Sequence, residues 1–189
     1  MAYILSQYPT LAAQGIGGYT TLTPNTTIDG FQAGQFSGVF GIPVLYSSNT
    51  STSLAGAVKQ IFSHLNATYP NEFIFSINAS TYPDFYSWWL PTNSPDYAGY
   101  DLLVGSWLLP EESLTANLTA LKIALQNSMP PDGRGNAYLV SGKGVWDVVP
   151  RGGSDAVNPA WRKALIHFSE SYPVLSFRAR DLGSYKLEG

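Results

Sequence analysis

Two helical stripes, set in a chain otherwise rich in β-forming residues, most constrain how this sequence can fold. Leu54, Val58, Ile61, Phe62 and Leu65 recur at helical spacing after a possible cap at Ser53. Leu114, Leu118, Leu121 and Leu125 recur likewise after Pro110, with Glu111 and Glu112 in the first turn, where the helix dipole favours acids. Around them stand segments that read as strands. They are 35–46, interrupted by Gly41 and Pro43, then Glu72–Asn78, with Phe73, Phe75 and Ile77 on one face, and Tyr100–Leu109. Ala137–Val140, Gly144–Val149 and Trp161–Phe168 complete the set. A short helix is expected from Ala2 to Tyr8, with loop and edge segments around Gly18–Leu22. Tyr82–Tyr100, with Phe85, Tyr86, Trp88 and Trp89, reads as an irregular aromatic excursion.

The element order is not a doubly wound βαβ pattern. It predicts an α+β fold, an antiparallel β-sheet with α-helices packed on one face. Such a sheet should carry polar residues on its other face, yet aromatics make up 14% of the chain and charged residues only 12%. The excess of aromatics predicts a ligand or another domain over the open face. A net charge of −3 argues against a nucleic-acid groove. No apolar run approaches the roughly 18 residues of a membrane span, and zero cysteine removes disulfides and thiol chemistry.

Sequons at Asn25, Asn49, Asn66, Asn78 and Asn117 take five of the ten asparagines, pointing to a secreted, glycosylated surface. The N-terminal residues show no basic and apolar leader. The chain therefore reads as an internal portion of a longer protein, the alternative being a cytoplasmic or unconventionally exported protein with idle sequons.

Catalytic motifs in the usual sense are absent. Gly15-Ile16-Gly17-Gly18 follows no strand, so it is not a dinucleotide loop. His64 and His167 lack partners at metal-ligand spacing, and no serine sits in a nucleophile elbow. His64 reads as structural, and His167 as structural or pocket-lining.

Asn158-Pro159-Ala160-Trp161-Arg162 resembles a segment of fungal FAD-linked oxidoreductases of the berberine bridge enzyme-like type. Gly105-Ser106-Trp107-Leu108-Leu109-Pro110 and Tyr8-Pro9-Thr10-Leu11, with Gly18-Tyr19 beyond, are similar to two further stretches of that family, in family order. The resemblance implies that residues 1–168 form the substrate-binding domain of a flavoprotein, with 169–189 a divergent tail. It also implies a small organic substrate oxidised by hydride transfer to FAD, with O2 as acceptor. The FAD-binding domain is not in this sequence, so FAD would come from a further domain or subunit. The departures are Trp107, where the family usually has Arg, and the stretch after His167.

In that frame Asp147 is the nearest acidic candidate for a proton acceptor, or else a solvated strand residue. Tyr138, on the preceding strand, is a phenolic base or hydrogen-bond donor. Trp146, His167, Trp88 and Trp89 are candidates for substrate contact or for core and interface packing. Arg162 reads as structural. The competing possibilities are a cofactor-free binding or cyclase/isomerase domain, an inactive fragment, and a homodimer covering the open face.

Overall fold

The computed structural model describes residues 1–26, 36–45, 51–92, 102–129, 134–142, 145 and 158–173. The chain divides into two units, Met1–Ile42 with Asp101–Gly189, and Pro43–Tyr100.

In the first unit, helices α1 (Ala2–Ser6) and α2 (Tyr8–Ala13) open the chain. The amide of Gly15 donates to the carbonyl of Ala12, and Gly15 adopts φ 79°, a left-handed exit that costs glycine little. Strand β1 (Ile16–Thr26) follows, then β2 (Phe36–Leu45), whose residues from Pro43 onward count with the second unit. The second unit supplies α3 (Ser51–Thr68) and α4 (Phe85–Thr92). The first unit resumes with β3 (Leu102–Pro110), α5 (Glu111–Thr115), α6 (Leu118–Ser128) and β4 (Arg134–Leu139). A 3-10 turn (Pro159–Arg162) then leads into β5 (Ala164–Pro173).

The five strands lie in the order β2-β1-β4-β5-β3. The β1–β4, β4–β5 and β5–β3 pairs are all antiparallel, which is the α+β sheet the sequence predicts. β1, expected only as loop and edge segments, is an interior strand. Its run of Thr20 to Thr23 supplies β-branched residues, and Thr20 and Leu22 point into the core.

Helices cover one sheet face. Leu5, Leu11, Ala12, Leu114, Leu121 and Leu125 bury against the face bearing Leu22, Ala137, Ile166 and Phe168. The Tyr8 hydroxyl hydrogen-bonds the Thr20 hydroxyl beneath this layer. Burial pushes the Tyr8 phenol up to about 12, an effect the hydrogen bond to Thr20 only partly opposes.

The expected Leu114–Leu125 helix is two helices, α5 and α6. Asn117 restarts the second by accepting from the amide of Ala120 at 2.9 Å. The break changes the helical phase, so Leu118 leaves the stripe and is exposed. Trp161 likewise is not in a strand. Asn158 caps the turn by accepting from the amide of Ala160 at 2.9 Å, and the strand begins only at Ala164.

In the second unit Glu72–Asn78 is not a strand. A turn through Asn71, at φ 65°, redirects the chain after α3. Phe75 then stacks on Phe62 at 5.1 Å and Phe73 meets Tyr69 edge-on at 5.9 Å. The alternating aromatics are thus partnered by the α3 helix and the turn that follows it. The excursion at 82–100 contains a helix, because Asp84 caps α4 by accepting from the amide of Ser87 at 2.7 Å. That backbone hydrogen bond, with help from the Ser87 side chain, holds the Asp84 carboxyl below its ordinary range.

Candidate functional site

The sheet register sorts side chains onto its two faces. Tyr19 lies opposite Tyr138, Tyr138 opposite His167, and His167 opposite Leu108. These four cross β1, β4, β5 and β3 in one row on the face away from the helices. Ring centroids lie 6.2 Å apart for Tyr19 and Tyr138, and 5.9 Å for Tyr138 and His167. Trp161, carried in by the 3-10 turn, meets His167 edge-on at 5.3 Å. Such spacings are those of favourable aromatic pairs. Tyr19 and Tyr138 each remain 37% exposed, so the row is a surface and not a second core.

A second row runs beside it. Thr21 lies opposite Asn136, Asn136 opposite Ser169, and Ser169 opposite Ser106. The Thr21 hydroxyl donates to Asn136 Oδ1 at 2.9 Å. The open face thus offers an aromatic band alongside a band of uncharged hydroxyl and amide groups. A flat apolar ring would settle on the first, and hydrogen-bonding substituents would meet the second.

Of the residues singled out from sequence, the fold brings Tyr138 and His167 into contact. Asp147 and Trp146 lie outside the described residues, as does Asn49. Trp88 and Trp89 belong to the second unit, on α4, where Trp88 packs against Phe85 at 5.2 Å and Trp89 against Tyr86 at 6.0 Å. Asn25 falls within β1. Asn66, Asn78 and Asn117 are exposed. Among the described residues no group of three or more His, Cys, Asp or Glu side chains could hold a metal ion, and no helix is long and apolar enough to cross a membrane.

Tyr19 and Trp161 are the site residues that sequence reasoning does not single out. Tyr19 stands only in a family landmark, within a segment that reads as a loop. Trp161 depends on the turn capped by Asn158, a signal present in Asn158-Pro159.

No protein-family model matches the sequence, and no curated protein matches it. Among solved structures the chain is similar to the VAO-type flavoprotein MtVAO713 from Myceliophthora thermophila C1. The TM-score is 0.71 at 20% sequence identity, over 89% of this chain and 29% of that one. The fold is one found within a VAO-type flavoprotein. The chain spans less than a third of that neighbour's length.

Proposed function

We propose that this chain is the substrate-domain portion of a flavin-dependent oxidoreductase of the berberine bridge enzyme-like type, acting on a small organic substrate. The observation that carries this reading is the aromatic row Tyr19–Tyr138–His167, flanked by Trp161, on the face away from the described helices of a sheet that recurs in a VAO-type flavoprotein. The row suits the planar ring end of a flavin or an aromatic substrate stacked on one. The described residues offer no strand–glycine-loop–helix cradle for a pyrophosphate. In this reading the dinucleotide part of FAD belongs to a further domain or subunit.

A bound FAD would supply the hydride acceptor, with O2 as its oxidant. This chain's residues place the substrate and receive the accompanying proton. In this reading the Tyr138 phenol hydrogen-bonds the reacting group, and His167, in ring contact with Tyr138, lines the site beside it. Tyr19 and Trp161 form apolar walls that exclude water. Thr21, Asn136 and Ser169 orient substrate hydroxyl or carbonyl groups. The exposed Asn66, Asn78 and Asn117 fit a glycosylated protein of the secretory route.

Hydroxyl-radical footprinting of the flavin-loaded assembly, compared with this chain alone, tests the placement. Tyr19 and Tyr138 should become protected in the assembly, while the exposed Ile123 on α6 stays equally reactive. Equal oxidation of both tyrosines in the two states would remove the open face from the site.

A further inference from the structure

The face away from the described helices changes character along its strands. Successive side chains on one face stand two residues apart, about 7 Å along the strand. The aromatic row through Tyr138 gives way to the hydroxyl and amide row through Asn136, and a third row follows. In it Arg134 lies opposite Ser171, and Ser171 opposite Val104. Arg134 is exposed and Val104 is 61% exposed, so this end of the face is open to solvent.

Each row offers a different chemistry. Tyr138 and His167 give ring contacts. In the second row the Thr21 hydroxyl donates to Asn136 Oδ1 at 2.9 Å, which leaves the Asn136 Nδ2 donors for a ligand's acceptor oxygens. Ser169 and Ser106 add hydroxyls that can both donate and accept. Arg134 then carries the only permanent charge in the three rows, and no acidic side chain stands among them. The only acid in the five described strands, Glu170, lies on the helix-covered face, where it is buried.

A guanidinium presents its N–H groups as a planar fork that matches a carboxylate or phosphate, and such charge-assisted bonds are stronger than neutral ones. An anion held there lies four residues along β4 from Tyr138, about 13 Å between the two strand positions. A ring stacked at Tyr138 and an anion at Arg134 are joined across the Asn136 row, where a hydroxyl-bearing link meets matching donors and acceptors. A compact neutral ring would leave the second and third rows unused.

We propose that this face binds an elongated anion, with a planar ring on the Tyr138 row, a hydroxylated link on the Asn136 row and a carboxylate or phosphate on Arg134. The proposal rests on the reading of this face as a ligand surface, and it narrows the ligand from any small organic molecule to an acidic one. The same chemistry occurs in a ring-bearing sugar acid acting as substrate and in the ring, ribityl chain and phosphate of a flavin.

Calorimetric titration of the full chain with two matched pairs tests the assignment. 4-Nitrophenyl β-D-glucuronide is compared with the neutral 4-nitrophenyl β-D-glucoside, and flavin mononucleotide with neutral riboflavin. In at least one pair the acid should bind at least about threefold tighter than its neutral partner at low salt. Preference in the first pair assigns Arg134 to an acidic substrate, and preference in the second pair alone assigns it to the flavin's own phosphate. Arg134→Gln should abolish the preference while binding of the neutral partner stays within about twofold. Tyr138→Ala should weaken both members of a pair alike, with circular dichroism unchanged in either variant. Neutral partners that bind as tightly as the acids, or a preference that survives in Arg134→Gln, would overturn the proposal and leave the face a ligand surface. Binding by none of the four would overturn the proposal and the ligand-surface reading together.

Discussion

Tyr138→Phe lowers turnover of the flavin-loaded assembly by about 10²–10³-fold, with substrate affinity changed by no more than about threefold. The substitution keeps the ring, and therefore its contacts with Tyr19 at 6.2 Å and His167 at 5.9 Å. It removes only the hydroxyl, the atom proposed to hydrogen-bond the reacting group. Uniform binding should survive while the interaction made in the transition state is lost. Tyr19→Phe, in the same row but one strand further from His167, should change turnover by less than about threefold, since its role is apolar contact. Steady-state kinetics at several pH values check both. Turnover by Tyr138→Phe within about threefold of the parent would take the hydrogen bond to the reacting group away from this residue.

Between about pH 10 and 12 the fold should lose about 2–3 kcal/mol of stability through Tyr8 alone. Its phenol is pushed from 10.0 up to about 12, chiefly by burial under the helix layer. Across that window the unfolded chain releases the proton while the folded chain retains it. The unfolded state therefore binds fewer protons, and stability falls as pH rises. The contribution is complete below about pH 10 and gone above about pH 12. Urea unfolding midpoints measured from pH 8 to 12 should fall more steeply for the parent chain than for Tyr8→Phe, which has no such proton to lose. Parallel curves would show that Tyr8 is not confined beneath the helices beside Thr20.

The two-layer architecture is legible in the sequence because helical periodicity and β-forming runs alternate along the chain. Ile61, Leu65, Leu114, Leu121 and Leu125 are buried as their spacing requires. What is not legible follows from register and from local capping. Thr20 and Leu22 sit in a segment whose glycines, threonines and proline resemble a loop, and only pairing with β4 makes it an interior strand. Phe73 and Phe75 alternate as in a strand, yet they are partnered by Tyr69 and Phe62, so no ladder forms. Asn117 reads as a sequon and Asp84 as an undistinguished loop residue, yet each starts a helix through one side-chain oxygen.

The site shows the same division. Tyr138 and His167 stand out separately, one from its strand and one from the alternation after the Asn158–Arg162 segment. Their contact, and the addition of Tyr19 and Trp161, depends on which residues face each other across β1, β4 and β5.

The central claim is that this sheet serves a flavin held elsewhere. Visible absorption, together with intact mass, of the protein purified from its native source tests it most directly. The expected result is a flavin spectrum that travels with this sequence and with additional polypeptide, either continuous with it or as a second subunit. A colourless, monodisperse species of only these 189 residues would contradict it. The aromatic row would then be a binding surface that works without a redox cofactor.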